Sequence, residues 1–393
     1  MSTVPHSKSR VQNRKVVIAL FVLVALAYWI SMYLFMPTLP TYVKSKTDNL
    51  ALVGVILAQY GLWQAIIRLP LGITADWLGR RKPFILIGLL LSALGAWMLG
   101  SADGGTQLVI ARAITGLGAG TWVPLMVAFN SLFPPRDVIR ATAILTFIGS
   151  VGRILGTSLT GSLNELGGYQ LAFILAAGAG VVGALLLLPI REEPLPVRRP
   201  SVQGIGRLIL RRDVLIPSLL SAVSQYINWT GSFGFLPILA EGLGANDVSL
   251  SLLTSLHIVV VTVMTLGAAA LVNRVGARIL VILSFVLATG GMALAAVAPT
   301  LTWIFVAQFL MGVAQGLGYS TLMGWSVQNV SSAEQNTAMG LHQAVYAIGM
   351  FAGPWLSGIL ADAMGLRPMF GATAFVCLAL GLFLIRLLPT RNN

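Results

Sequence analysis

The segment GITADWLGRRKP, residues 72–83, places one aspartate and three consecutive cations between two long apolar runs. The chain around it is 56% hydrophobic and 9% charged, whereas soluble proteins carry about 25% charged residues. A chain of 393 residues with so few charges cannot cover a water-facing surface. The segment is therefore predicted to be a short loop between two helices that cross a membrane.

Apolar runs long enough to cross a bilayer as a helix, about 20 residues, recur along the whole sequence. They predict an all-α integral membrane protein with twelve spans, at residues 17–36, 51–76, 84–101, 107–130, 138–163, 170–190, 214–240, 249–272, 278–298, 301–327, 337–362 and 367–388. The first run continues into MPTLPTYV instead of a small-residue cleavage site, so it is predicted to be a span and not a signal peptide.

The distribution of the net charge of +13 predicts the orientation. If the N-terminus is cytoplasmic and each span reverses direction, nineteen Lys and Arg residues lie on the cytoplasmic side and three, Lys44, Lys46 and Arg367, lie on the other. This excess follows the positive-inside rule. It predicts a multi-pass protein of the cytoplasmic membrane with both termini in the cytoplasm, and it explains the basic charge without a nucleic-acid partner.

The sequence contains an internal repeat. Residues 28–39, YWISMYLFMPTL, align with residues 228–239, NWTGSFGFLPIL, at an offset of 200. At an offset of 197, glycines recur in the same order: Gly152, Gly156 and Gly161 align with Gly349, Gly353 and Gly358. The repeat predicts two six-helix halves, at 1–190 and 214–393, joined by a Pro- and Arg-rich cytoplasmic linker at 191–213.

The loop at 72–83 resembles the signature loop of the major facilitator superfamily, in which Gly, Asp, Gly and Arg recur at this spacing. The matching residues are Gly72, Asp76, Gly79, Arg80 and Arg81. RAITGLGAG at 112–120 is similar to the family's span-four motif, and GLHQAVYAIGMFAGPWLSG at 340–358 to its glycine-and-GP pattern. The resemblance, which is to drug-efflux-type members, implies the major facilitator fold of two pseudo-symmetric six-helix halves and secondary transport by alternating access.

The resemblance also implies which residues gate or couple transport: Gly72, Asp76, Gly79, Arg80, Arg81, Arg112, Gly353 and Pro354. In the family, the loop charges lock the two halves in the outward-open state. The alternative role of Arg80, Arg81 and Lys82 is to set orientation. Asn273 replaces the aspartate in the second copy, which weakens a latch there, and Thr157 stands where the family's span-five proline stands, which weakens the implication of antiport.

Ionisable side chains at membrane depth are few, and each is unfavourable there by roughly 3 kcal/mol or more. The predicted spans contain Arg68, Arg112, Arg153, His257 and His342, and no carboxylate away from a helix end. Each arginine either faces an aqueous cavity and attracts anions or pairs with backbone carbonyls and water. Proton coupling would depend on Asp76, His257 or His342, because histidine titrates near neutral pH.

Aromatic and amide side chains concentrate in spans one, seven, ten and eleven, which line a central cavity in the family. The predicted substrate-binding residues are Tyr28, Trp29, Tyr33, Arg112, Arg153, Gln225, Asn228, Trp229, His257, Gln315, Tyr319 and Tyr346. The alternative role of these side chains is hydrogen bonding between helices.

The sequence thus predicts a secondary active transporter that exports a small amphipathic or apolar molecule, with protons as the coupling ion. The alternative is a transporter of an organic anion or anionic amphiphile that Arg112 and Arg153 recognise. A transporter-like receptor, scaffold or scramblase is a third class, which the intact loop disfavours. The sequence has no Gly-Lys-Ser/Thr phosphate loop, metal-ligand cluster or Ser–His–Asp set, so no enzyme activity, cofactor or metal is expected. We expect a monomer in the lipid bilayer.

Overall fold

The computed structural model describes residues 13–192, 208–331 and 334–388, which are almost entirely helical and contain no strand. The helices are α1 (Arg14–Tyr33), α2 (Leu39–Lys46), α3 (Leu50–Leu78), α4 (Lys82–Gly100), α5 (Gly105–Ala119), α6 (Trp122–Asn130), α7 (Val138–Leu187), α8 (Arg212–Thr230), α9 (Leu236–Gly242), α10 (Asp247–Val275), α11 (Ala277–Val297), α12 (Leu301–Val327), α13 (Gln335–Met364) and α14 (Leu366–Arg386). A 3₁₀ turn at Pro135–Asp137 precedes α7, and a π-helical segment at Gly231–Phe235 joins α8 to α9.

The helices form the twelve predicted crossings. Ten helical segments of the described residues are long and apolar enough to span a membrane. One of them, Pro135–Leu187, has 53 residues and crosses twice, because α7 breaks at Gly167 and Gly168. Gly168 has a φ of +67°, a left-handed conformation that glycine adopts without strain. The run from α8 through the π-helical segment to α9 is the remaining crossing.

Two predicted spans are not single α-helices, and the first is followed by a short helix outside the predicted spans. The first span, predicted at 17–36, corresponds to α1, and α2 follows it beyond Pro37. The fourth divides into α5 and α6 at Gly120 and Thr121. The seventh contains the π-helical segment. Hydropathy could not place these breaks, because the residues on both sides of each break remain apolar. Residues 193–207 of the predicted linker lie outside the described residues.

Glycines bring the same pair of helices together in each half. A Cβ at Gly152 of α7 would lie 3.2 Å from the carbonyl oxygen of Leu26 in α1, and a Cβ at Gly349 of α13 would lie 1.9 Å from that of Ala222 in α8. Small residues allow such backbone contact between membrane helices. The repeated glycines therefore occupy equivalent helix contacts in the two halves.

The bundle has two distinct ends. We call the end that carries Arg81 and Arg211 the basic end, and the end that carries Glu241 and Asp362 the distal end. At the distal end the backbones of the two halves touch. A Cβ at Gly54 of α3 would lie 2.3 Å from the carbonyl oxygen of Pro354 in α13, and one at Gly161 of α7 would lie 2.4 Å from the Cα of Val248 in α10.

Polar groups also join the halves at the distal end. The Asn164 side-chain amide donates to Asp247 Oδ2 at 2.8 Å, and the backbone amide of Leu50 donates to Asp362 Oδ1 at 3.0 Å. Lys44 Nζ lies 3.4 Å from Glu241 Oε2. In each pair the N-terminal half supplies the donor and the C-terminal half the carboxylate.

Contact between the halves decreases towards the basic end. Arg68 of α3 donates to the Tyr346 hydroxyl of α13 at 2.6 Å. Beyond this pair, a Cβ at Gly72 of α3 or at Gly340 of α13 would meet no atom within 4 Å. The structure is therefore closed at the distal end, and the two helices no longer touch at these positions near the basic end.

Candidate functional site

Aromatic rings from both halves meet near the middle of the bundle. Tyr60 of α3 stacks on Trp229 of α8, with 5.1 Å between ring centroids and 24° between ring planes. Tyr33 of α1 contacts Phe233 edge to face at 6.2 Å. Trp229 and Phe233 also contact each other, at 5.2 Å. These four rings, each only 5–8% exposed in this conformation, form one apolar cluster across the interface of the halves, which we call the aromatic surface.

Arg153 lies beside this surface. It is fifteen residues from the start of α7, about 22 Å along the helix axis. Its Cζ lies 4.9 Å from the ring centroid of Trp29 and 5.9 Å from that of Tyr33, within cation–π range. One Nη donates to Ser150 Oγ at 2.9 Å, and Nε has no partner. The guanidinium therefore has no carboxylate partner and retains unused donor capacity.

Arg112 is more enclosed than Arg153. Only 1% of its surface is exposed, and its Cζ lies 4.4 Å from the ring centroid of Tyr60. Its Nη atoms contact Thr115 Oγ1 at 3.5 Å and Met36 Sδ at 3.6 Å, and Nε has no partner. Arg112 thus packs on the Tyr60 ring from inside the N-terminal half, and no hydrogen bond or ring contact among the described residues joins it to Tyr33, Trp229 or Phe233.

Among the predicted polar residues of the C-terminal half, His257 contacts the aromatic surface, whereas Asn228 and Gln315 line a small gap inside that half. His257 is buried, with Nδ1 3.3 Å from Ser232 Oγ and its ring 5.6 Å from that of Phe233. Gln315 accepts a hydrogen bond from Ser224 at 3.3 Å. The carbonyl oxygens of the Gln225 and Asn228 side chains are buried and unpaired. Unpaired buried acceptors of this kind are uncommon and could be satisfied by a ligand or water.

The described carboxylates all lie outside this central region. They are at helix ends and connecting segments: Asp48, Asp76, Asp103, Asp137, Glu165, Glu192, Asp213, Glu241, Asp247, Glu334 and Asp362. The fixed charge at the aromatic surface is therefore positive.

A family model described as Major Facilitator Superfamily matches residues 21–222 and 218–393. The chain belongs to the major facilitator superfamily. It is 23% identical over 359 residues to the quinolone resistance protein NorA of Staphylococcus aureus, covering 86% of this chain and 88% of NorA. It is 19% identical over 355 residues to an uncharacterised MFS-type transporter of Methanocaldococcus jannaschii, covering 88% of this chain and 91% of that protein.

Solved structures confirm the major facilitator fold. A bacterial homolog of the human lysosomal transporter Spinster, in an inward-facing and occupied conformation, superposes with a TM-score of 0.81 at 17% sequence identity. The alignment covers 95% of this chain and 96% of that one. The family match and the shared fold together confirm the prediction of a major facilitator transporter, and this family is not one of enzymes.

Two predicted substrate-binding residues of this major facilitator protein are occupied by other contacts. The Tyr28 hydroxyl donates to the backbone carbonyls of Gly118 and Ala119, at 3.1 and 2.9 Å, and so fastens α1 to α5. Tyr346 accepts the hydrogen bond from Arg68, and its ring lies 6.1 Å from that of Tyr319. These interactions place Tyr28 in the helix packing of one half and Tyr346 in the contact between halves.

The signature loop is held within its own half. Arg81 donates to Asp76 Oδ1 at 2.5 Å and to the backbone carbonyl of Ala75 at 2.6 Å. Glu192 accepts hydrogen bonds from the backbone amides of Arg81 and Lys82, the latter at 3.0 Å. Asp76 therefore pairs with Arg81 in this conformation, in which the distal end of the bundle is closed.

The remaining predicted gating residues have separate positions. Gly79 ends α3 with a φ of 61°, and Arg80 is exposed. A Cβ added at Gly72 would meet no atom within 4 Å, so Gly72 has open space around it. A Cβ added at Gly353 would lie 2.7 Å from the carbonyl oxygen of Tyr226. Pro354 lies inside α13, where its carbonyl touches Gly54. The structure thus separates these residues between the two ends of the bundle.

Sequence reasoning missed Tyr60, Trp122 and Glu192. Trp122 packs on Trp29 at 5.0 Å, and Tyr60 links Arg112 to Trp229. Gly54, Gly61 and Arg68 recur every seven residues along α3 and mark its face towards α13, but Tyr60 lies about 100° round the helix from that face. No signal marked Trp122 either, since its contact requires the break between α5 and α6.

Proposed function

We propose that this secondary transporter exports a small amphipathic molecule with a flat apolar body and an anionic group. The observation that carries the proposal is the position of Arg153, stacked on Trp29 and Tyr33 without a carboxylate partner. Arginine binds planar anions such as carboxylates through paired hydrogen bonds. Aromatic faces beside it favour a flat apolar group. Both properties would be met by one amphipathic anion.

The proposal assigns anion binding to Arg153 and not to Arg112. Arg112 is 1% exposed and lies behind the Tyr60 ring, so a ligand at the aromatic surface cannot contact its guanidinium in this conformation. Its positive charge still contributes to the local potential, because charges interact over several ångströms in a medium of low dielectric constant. Arg112 would thus attract an anion bound at the aromatic surface electrostatically, without contacting it.

The direction and coupling of transport form part of the same proposal. Efflux is supported by the resemblance to drug-efflux members and by the 23% identity to NorA over most of the chain. Proton coupling would use His257, which contacts Phe233 of the aromatic surface. The loop pairing of Asp76 and Arg81 would reorganise into a latch between the halves when the basic end closes.

The orientation follows from the charge distribution. We assign the basic end to the cytoplasm of a bacterial-type inner membrane, which places both termini in the cytoplasm by the positive-inside rule. The closed distal end then makes this an inward-facing state. A functional monomer with halves 1–190 and 214–393 around the linker 191–213 completes the proposal.

A second candidate is export of a neutral or cationic amphiphile. The observation that favours it is the continuous surface of Tyr60, Trp229, Phe233 and Tyr33, which can bind an apolar molecule without any charge. NorA is named for resistance to quinolones. In this case Arg153 would have a structural role.

The two candidates are separated by ligand-induced thermal stabilisation of the purified transporter. We expect aromatic carboxylates to raise the melting temperature of the wild type and to lose this effect in Arg153→Ala, because the hydrogen-bonding cation is gone. A ligand at 100 times its Kd stabilises a protein by about 2.7 kcal/mol, which is readily measured. The matched control is Arg140→Ala, which removes an exposed arginine from the same helix.

The proposal is contradicted if lipophilic cations stabilise the protein and Arg153→Ala leaves their effect unchanged. Efflux of the stabilising ligand from proteoliposomes then tests direction. A rate of export that changes with an imposed pH gradient supports proton coupling, and a rate that does not change with the gradient contradicts it.

A further inference from the structure

A second cavity lies away from the aromatic surface, among α8, α13 and α14. Its volume is about 590 Å³, within the usual range of about 300–1,000 Å³ for ligand pockets. Its walls include Ala222, Tyr226, Gly349, Ala372 and Cys377. Small side chains on all three helices create the space, because α8 and α13 touch through Gly349 while α14 packs less closely against them.

The cavity offers almost no hydrogen bonds to a polar occupant. The Tyr226 hydroxyl lies 3.1 Å from Ser357 Oγ, and Thr373 Oγ1 contacts Met369 Sδ at 3.7 Å, so both polar side chains have partners. Cys377 contributes only a thiol. A cavity with apolar walls excludes water and binds apolar molecules. The occupant must therefore be apolar.

The mouth of the cavity opens on the outer surface of the bundle at membrane depth. Ile348 of α13 and Val376 of α14 lie at this mouth and are 58% and 51% exposed. The walls extend along α13 to Leu360, from the middle of the helix towards its distal end. Because surfaces at this depth face the hydrocarbon layer, the molecules that reach the mouth are the hydrocarbon chains of lipids.

We propose that this cavity binds one acyl chain of a bilayer phospholipid. The chain would enter between α13 and α14 and pack beside Cys377, with its headgroup outside the cavity. This site is independent of the substrate proposed above, since none of the residues of the aromatic surface lines it.

The bound acyl chain would pack against a segment of α13 in which Pro354 weakens the helix. Proline has no backbone amide, so one helical hydrogen bond is missing there. The same segment contacts α3 of the other half through the Pro354 carbonyl and Gly54. An acyl chain against this segment would therefore stabilise the helix that closes the distal end.

Photo-cross-linking in nanodiscs tests the proposal. The full-length transporter is reconstituted with a phosphatidylcholine that carries a diazirine in the middle of one acyl chain, and adducts are mapped by mass spectrometry. Thr373 and Cys377 are the reporters, because they are only 3% and 4% exposed and surrounding lipid does not reach them. Leu266 of α10, 67% exposed, reports general lipid contact.

We expect adducts on Thr373 or Cys377 in the wild type, and a loss of about tenfold relative to Leu266 in Ala372→Leu, because the added carbons fill space that buried methylenes would occupy. Ala379→Leu is the matched control, since it adds the same group to an exposed position of α14 outside the cavity, and should leave the ratio unchanged. Ala352→Leu fills the cavity from the α13 wall and should repeat the loss.

The proposal is overturned if adducts are confined to exposed side chains, or if both cavity-filling variants fold and retain the wild-type ratio. It is also overturned if a diazirine-labelled free fatty acid marks Cys377 while the phospholipid does not. Each of these outcomes leaves the Arg153 experiment unaffected.

Discussion

Three arginines inside the bundle lie against aromatic rings without a carboxylate. Arg112 lies over Tyr60, Arg153 over Trp29, and Arg68 over Tyr346 at 5.3 Å. A cation–π contact contributes about 0.5–2 kcal/mol, more when water is excluded. It therefore offsets only part of the unfavourable burial of charge. The Nε atoms of all three side chains have no partner, so the protein leaves at least one donor of each cation unsatisfied.

At the basic end, a single ion pair gives a testable pH dependence. Arg211 donates to both carboxylate oxygens of Asp213, at 3.1 and 2.7 Å, and this hydrogen bonding holds the pKa of Asp213 below its ordinary value of 3.8. A carboxyl group whose pKa is lowered by folding stabilises the folded state above its unfolded pKa. That contribution is lost as the pH falls through the lowered value.

We predict that acidification from about pH 6 to about pH 3 lowers the melting temperature of the wild type more than that of Asp213→Asn. The effect should be small, at most about 1 kcal/mol, because the pair is partly exposed to solvent. Asp137→Asn is the control, since it removes a carboxylate at the same end whose arginine neighbour is 3.9 Å away and largely exposed. Equal acid sensitivity in wild type and Asp213→Asn would contradict the prediction.

At the scale of helices, glycine contacts decide which pairs pack closely. The α8–α13 pair leaves no room for a methyl group at Gly349, because the nearest atom is a backbone oxygen that cannot rotate away. Overpacking of this kind costs about 1–3 kcal/mol. The equivalent pair of the first half, α1 and α7, is less tight at Gly152.

We predict that Gly349→Ala lowers the melting temperature, with a loss of about 1–3 kcal/mol. Gly340→Ala is the matched control on the same helix, because its added Cβ meets nothing within 4 Å. It should be neutral or stabilising by up to about 1 kcal/mol, since alanine favours helix over glycine. A Gly349→Ala protein as stable as the control would show that α13 and α8 can separate freely.

For the whole molecule, the distal contacts determine which end is closed. Gly161 permits backbone contact between α7 and α10, and Asn164 and Asp247 add a hydrogen bond one turn away. These contacts join different halves, so they can form only when the distal end is closed. A bulkier residue at Gly161 opposes this closure without touching the interior of either half.

We predict that Gly161→Val opens the distal end. A penalty of about 1–3 kcal/mol shifts a two-state population ratio by roughly 5-fold to 150-fold. In a Cys377→Ser background, spin labels at Asp48 and Thr300 should move apart and labels at Arg140 and Arg274 should move together. Gly178→Val, on the same helix with open space around it, should leave both distances unchanged. Unchanged distances in Gly161→Val would contradict this account of closure.

The large features of the protein could be predicted from the sequence because they follow from composition and from repetition. Apolar runs gave the twelve crossings, and the loop at 72–83 gave the family. The recurrence of Gly152 at Gly349 gave equivalent helix contacts in the two halves. Arg153 could be recognised as unusual, since a charged residue in an apolar run is conspicuous whatever the fold.

By itself, then, the sequence determined the membrane class, the number of crossings and the duplicated fold, because these depend on local hydropathy and spacing. Only the tertiary structure decided that Tyr28 fastens α1 to α5, that Arg112 packs on the Tyr60 ring, and that Arg153 lies over the rings of Trp29 and Tyr33. Likewise, only packing among α8, α13 and α14 created the second cavity. The physical reason is that burial and partner choice depend on residues distant in sequence, which no local pattern specifies.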